Sequence, residues 1–106
     1  MYHVSLVYNR DSIKRNGLNA TGVTPWPEDE YPKGTYLCPT IEIARKYGFG
    51  NGDPYDIWSV DTSKYKVMPD PLTNAKFGDT YYISENINPE DIVIVESHEH
   101  DVTNPL

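Results

Sequence analysis

Proline and glycine punctuate this chain so often that no long helix has room: nine prolines and seven glycines stand among 106 residues. Proline breaks helix interiors and central strands, and glycine marks turns. The segments left between them are short, which predicts a domain of short strands, loops and brief helices. The length fits one domain, in which folding hides roughly two-thirds of the chain's surface, enough for a core without covalent staples.

Hydrophobic periodicity sets the order of elements. Tyr2 to Tyr8 alternates and is rich in β-formers, so a strand is expected there. Asn9 or Asp11 is placed to cap a short helix through Arg15 or Asn16, with Ile13 turned inward and Gly17 as its stop. Residues 20–33 hold Pro25, Pro27, Pro32 and the acidic run Glu28-Asp29-Glu30, and read as a loop around Trp26. Gly34 to Cys38 reads as a strand, and Thr40 as the N-cap of a helix over Ile41 to Tyr47 whose Ile43, Ala44 and Tyr47 share a face. The run from Gly48 to Pro54 reads as a flexible turn.

Strands are expected at Tyr55–Val60, Tyr65–Met68, Thr80–Ser84 and Ile92–Glu96, with a turn at Asn88–Asp91. Late strands without intervening helices predict an α+β domain and not a doubly wound sheet. Residues 1–96 are expected to form the domain, and 97–106 a polar tail.

Charge and composition exclude several functions. The formal net charge is −7, with a pI near 4.7. An acidic surface repels phosphate backbones, so general nucleic-acid binding is not expected. Lys14, Arg15, Arg45 and Lys46, near the expected helix ends, still allow a local basic pocket. No apolar run reaches the roughly 18 residues of a membrane span, and Met1-Tyr2-His3-Val4 does not open a secretory leader. The lone cysteine, Cys38, excludes an internal disulfide and fits a cytoplasmic setting. No metal site is expected: His98-Glu99-His100-Asp101 lies in the polar tail without a third ligand fixed by sequence. Nine tyrosines supply flat rings with polar tips. Most of them are expected to pack on strands, and a few suit a binding cleft.

Three segments carry the candidate chemistry. The first is Tyr2-His3-Val4-Ser5, followed by the helix ending at Asn16-Gly17-Leu18. The second is Gly34-Thr35-Tyr36-Leu37 and a helix with Ala44-Arg45-Lys46-Tyr47. The third is Asp70-Pro71-Leu72-Thr73-Asn74-Ala75-Lys76-Phe77, then Tyr81-Tyr82-Ile83-Ser84 and the run from Ile87 to Glu96. In this order and spacing the chain resembles the ADP-ribosyltransferase fold, and within it the rifampin ADP-ribosyltransferase family. That family has a Tyr-His pair on its first strand, a tyrosine on the strand before a helix, and a D-P-N-L-T-N-K-x-F segment. The stretch from Asp70 to Phe77 is similar to that segment with one residue missing.

The resemblance implies a small split β-sheet core with two short helices and an NAD-dependent glycosyltransferase. Such an enzyme cleaves the nicotinamide–ribose bond and passes ADP-ribose to a rifamycin-like small molecule, which is antibiotic resistance by modification, or to a protein. NAD is then a co-substrate. A positive charge develops on the sugar as that bond breaks, so the site must hold the dinucleotide bent and place negative charge nearby. By resemblance His3, Tyr36 and Asp70 are the catalytic set. His3 would donate to the adenosine ribose hydroxyls, Tyr36 would stack on nicotinamide, and Asp70 would stabilise the sugar or orient the acceptor. Val4 and Ser5 would complete the NAD contacts, and Tyr47 would form a second wall or pack inward.

The chain departs from the family pattern in two ways and from the wider fold in one. Val4 stands where glycine is usual, so its Cβ is expected to crowd the ring. The span from Tyr36 to Asp70 is short. Thr80, next to Asp79, occupies the position before the Tyr81 strand where the wider fold often has glutamate, which fits the rifampin type and argues against polymer synthesis; Glu85 is read as a surface residue. An inactive member of the fold that binds a nucleotide or inhibits a protein partner, such as a phage or toxin-system component, is the alternative. A plain interaction domain ranks last.

Overall fold

The computed structural model describes residues 1–19, 34–69 and 80–98, with the backbone alone at 49–51. The chain begins with strand β1 (Tyr2–Leu6), a 3₁₀ turn (Val7–Asn9) and helix α1 (Arg10–Asn16). Strand β2 (Thr35–Leu37), helix α2 (Ile41–Asn51) and strand β3 (Tyr55–Val60) follow. The remaining elements are β4 (Met68–Pro69), β5 (Tyr81–Ile83), a 3₁₀ turn (Pro89–Asp91) and β6 (Ile92–His98). This is the expected α+β class: a small compact domain whose described residues form two short helices and two three-stranded sheets, ordered β1-β3-β6 and β2-β5-β4.

All strand pairs among the described residues are antiparallel. Among the described residues the backbones of the two sheets are joined at a bridge where Tyr2 N–H donates to Cys38 O (2.9 Å) and Cys38 N–H donates to Tyr2 O (2.7 Å).

Strand β3 lies at the centre and is buried on both faces, with Tyr55, Ile57, Trp58 and Val60 as its apolar residues. Its Trp58 and Val60 join Ile13, Leu18, Leu37, Ile83 and Ile87 in a cluster between the first sheet, α1 and the second sheet. Its Tyr55 and Ile57 face the other way and pack with Cys38 and Ala44 under α2, flanked by Tyr2, Val4, Ile41, Ile43 and Tyr47. The shared face expected for Ile43, Ala44 and Tyr47 is therefore the one that packs. The expected Thr40 cap is present too: Ile43 N–H donates to Thr40 Oγ1 at 3.2 Å.

Several boundaries differ from the sequence expectation. β1 ends at Leu6, because Val7 to Asn9 winds into a 3₁₀ turn leading into α1. Asn9 occupies the N-cap position of α1 but makes no side-chain cap bond. Gly17 ends α1 as expected, at φ +77°, and its N–H bonds to Ile13 O.

Helix α2 runs on through Gly48 to Asn51, where a turn was expected. Gly48 is there for contact and not for a bend: a Cβ would overlap the buried Tyr55 ring. Only Gly52, just past the helix, has positive φ in that run.

The expected Tyr65–Met68 strand is reduced to Met68–Pro69, since Tyr65 is held in a turn by its N–H bond to Thr62 O. β6 continues to His98, two residues into the expected tail, because Ser97 and His98 pair with Asp56 and Tyr55. The expected loop over 20–33, Asp70 and the rest of its segment, and the remainder of the tail lie outside the described residues. Among the described residues no helix is long and apolar enough to cross a membrane.

Candidate functional site

The backbone alternation of β1 decides what each candidate residue presents. Tyr2 spends its N–H and C=O on Cys38, while Val60 N–H donates to Met1 O on the opposite edge. Peptide groups alternate between the two edges of a strand. Those of His3 and Ser5 therefore turn to Trp58 and Asp56 of β3, their register partners, and those of Val4 turn to the edge beside β2. Side chains alternate between faces as well. Val4 packs into the cluster under α2, so its Cβ is occupied there and does not project along the strand edge.

His3 reaches across to the second sheet. Its Nδ1 lies 3.0 Å from the main-chain oxygen of Tyr36. A carbonyl only accepts, so Nδ1 carries the hydrogen and donates. Burial lowers the His3 pKa, and the Tyr36 bond opposes that without overcoming it. The ring is thus neutral at pH 7, with its lone pair on Nε2. In this tautomer Nε2 would accept from a ligand hydroxyl, the reverse of the donation expected by resemblance.

Tyr36 is half-buried on β2, between the buried Thr35 and Leu37. Its ring pairs with that of Tyr82, its register partner on β5, at a centroid separation of 5.8 Å and a tilt of 36°. Ser5 accepts a hydrogen bond from Trp58 Nε1 at 2.8 Å, which leaves its own O–H to donate. Tyr47 packs on the cluster under α2. The structure therefore brings His3 and Tyr36 into contact and sets Val4 and Ser5 on the same strand as His3. Asp70 lies outside the described residues; the last one before it, Pro69, pairs with Tyr81 at the start of β5.

Two polar networks were not foreseen from the sequence. Asp56 is fully buried and takes both Arg10 Nε (2.9 Å) and Nη2 (2.8 Å). Ser97 Oγ–H donates to the same carboxylate at 2.5 Å. Burial alone would raise the Asp56 pKa, but the Arg10 guanidinium and the Ser97 hydroxyl outweigh it and hold it below its ordinary value. The signal was legible, since a carboxylate inside an apolar strand demands a cation or several donors.

The second network ties α2 to β6. Arg45 Nη2 lies 2.7 Å and Nε 2.9 Å from the Glu96 carboxylate, and His98 Nε2 lies 2.6 Å from it. The His98 ring also stacks on Tyr55 at 4.6 Å. Arg45, which had been grouped with residues able to form a basic pocket, is committed to Glu96.

Cys38 is buried, with its thiol pushed up to about 11, so at neutral pH it is not a nucleophile. A shallow depression lined by Ser59, Asp61, Glu90, Asp91, Ile92 and Val93 includes none of the candidate residues. Its three carboxylates oppose a phosphate-bearing ligand. Among the described residues no group of His, Cys, Asp and Glu is disposed to hold a metal ion.

Compared with family models, with curated proteins and with solved structures, the chain matches none of them.

Proposed function

We propose that this protein is an NAD-consuming mono-ADP-ribosyltransferase. It would cleave the nicotinamide–ribose bond and transfer ADP-ribose to a small-molecule, rifamycin-like acceptor or to a protein. The observation that carries this reading is the hydrogen bond from His3 to the Tyr36 carbonyl, beside the Tyr2–Cys38 bridge between the two sheets. Two residues 33 positions apart, chosen by resemblance as ligands of one dinucleotide, are joined by this bond.

The donor set there suits the ligand. Nε2 of His3 accepts from a ribose hydroxyl, and Ser5 O–H donates to the same sugar. The Val4 peptide, on the strand edge, offers one N–H and one C=O, which matches the acceptor and donor of a carboxamide. Because the Val4 side chain is engaged under α2, the missing glycine does not by itself close the site. Tyr36 supplies the stacking ring. Asp70, supported by sequence resemblance alone, would place negative charge where the sugar becomes cationic.

The test is incubation with NAD, with and without rifampin or a protein extract as acceptor, measuring free nicotinamide. Release that is lost in Asp70→Ala and in Tyr36→Ala supports the transferase. Binding of NAD without release supports the alternative, an inactive member of the fold that holds a nucleotide or blocks a partner. Absence of both binding and release removes the NAD reading.

A further inference from the structure

Tyr36 is asked to do two things at once: its carbonyl fixes His3 and its ring would stack on nicotinamide. What fixes the ring itself is visible in the second sheet. Tyr82 stands directly opposite Tyr36 in the β2–β5 ladder, and Met68 stands opposite Tyr82 in the β4–β5 ladder. The three form one half-buried row on the side away from the inward-facing Leu37 and Ile83.

The Tyr82 ring is also confined by the residue just before β2. A Cβ on Gly34 would lie 3.2 Å from Tyr82 Cδ2 and 2.6 Å from Ile83 O, so the bare glycine backbone lies against that ring. The ring is therefore bounded by Tyr36, by the Gly34 backbone and by its place beside Met68. A tilted aromatic pair has a preferred geometry, and a ring held in one orientation loses less freedom when a third ring stacks on it.

We infer that Tyr82 is a positioning residue for the nicotinamide ring: through its ring contact it orients Tyr36, and it touches neither the sugar nor the bond that breaks. This rests on the NAD reading above. Its hydroxyl has no part in the role; the aromatic face does. Loss of the ring should then weaken binding of NAD and of nicotinamide alone, raise KM and leave kcat nearly unchanged.

The experiment measures Kd for NAD and for nicotinamide by titration, with KM and kcat for nicotinamide release, in the wild type, Tyr82→Phe, Tyr82→Leu, Tyr36→Leu and the Tyr36→Leu/Tyr82→Leu double variant. Thermal melts confirm that each is folded, and Tyr82→Leu keeps apolar bulk in the row. The expected result is a rise of about two- to tenfold in Kd for Tyr82→Leu, the range of an aromatic pair energy. Tyr82→Phe should bind like the wild type, and Tyr82→Leu should add nothing once Tyr36 is already leucine.

Equal binding by wild type and Tyr82→Leu overturns the inference and leaves the NAD reading intact. So does equal weakening in Tyr82→Phe, or full additivity in the double variant. Failure of the wild type to bind NAD overturns both.

Discussion

His3 donates from Nδ1 to the main-chain oxygen of Tyr36, 3.0 Å away on a different sheet. One bond thus sets the tautomer of a half-buried imidazole and ties the first strand to the strand that carries Tyr36. In ¹⁵N-resolved spectra at pH 7 the His3 ring should be neutral, with hydrogen on Nδ1 and none on Nε2. The opposite tautomer would refute the assignment. Because burial lowers the folded pKa below the ordinary 6.5, the unfolded chain binds more protons just below that pH. The His3 contribution is therefore complete above 6.5 and is lost as pH falls from there toward the folded value. Urea midpoints of wild type and His3→Asn should converge over that interval.

The Arg10–Asp56 pair is the costliest ion pair to break among those described, because Asp56 has no exposed surface of its own. Arg10→Leu strands a carboxylate held otherwise by Ser97, and should lower unfolding free energy by about 3 kcal/mol. Arg10→Leu with Asp56→Leu should recover much of that loss, since removing both charges also removes the desolvation cost. Chemical denaturation of the three proteins checks it. A single-variant loss below about 1 kcal/mol would show that solvent already shares the guanidinium.

Gly48→Ala should destabilise although alanine is the better helix former. The added methyl meets the ring of Tyr55, a residue only 3% exposed, which has little space to withdraw. Overpacking of this kind costs about 1–3 kcal/mol. A thermal melt that shifted upward instead would mean that the glycine is a flexible joint after all.

Arg45 and, next, His98 hold the Glu96 carboxyl down to about 2, against an ordinary 4.5. The sign is that of a paired acid: its contribution is present above 4.5 and disappears as pH falls from 4.5 to about 2. The Arg45 side chain is half exposed, so the loss is expected to be about 1 kcal/mol and not what the full shift would suggest. Glu96→Gln should flatten the acid limb of the stability curve over that interval, and 0.5 M salt should shrink the difference between the two proteins.

The elements were legible in the sequence where local chemistry specified them. Thr40 capped a helix, Gly17 ended one, and Tyr55 to Val60 read as a strand, because capping, left-handed φ and β-branching act within a few residues. His3 and Tyr36 were singled out from the sequence, but only by resemblance; nothing within five residues of either says that one would hold the other.

Tertiary structure decided the rest. It extended α2 through Gly48 because packing on Tyr55 outweighed the turn propensity of the glycine run. It drew Ser97 and His98 into β6 because Asp56 and Tyr55 offered them partners. It also sent the Val4 side chain away from the strand edge on which its peptide lies. Each outcome depends on which face of a strand is buried and against what, and that is fixed only when residues dozens of positions apart come into contact.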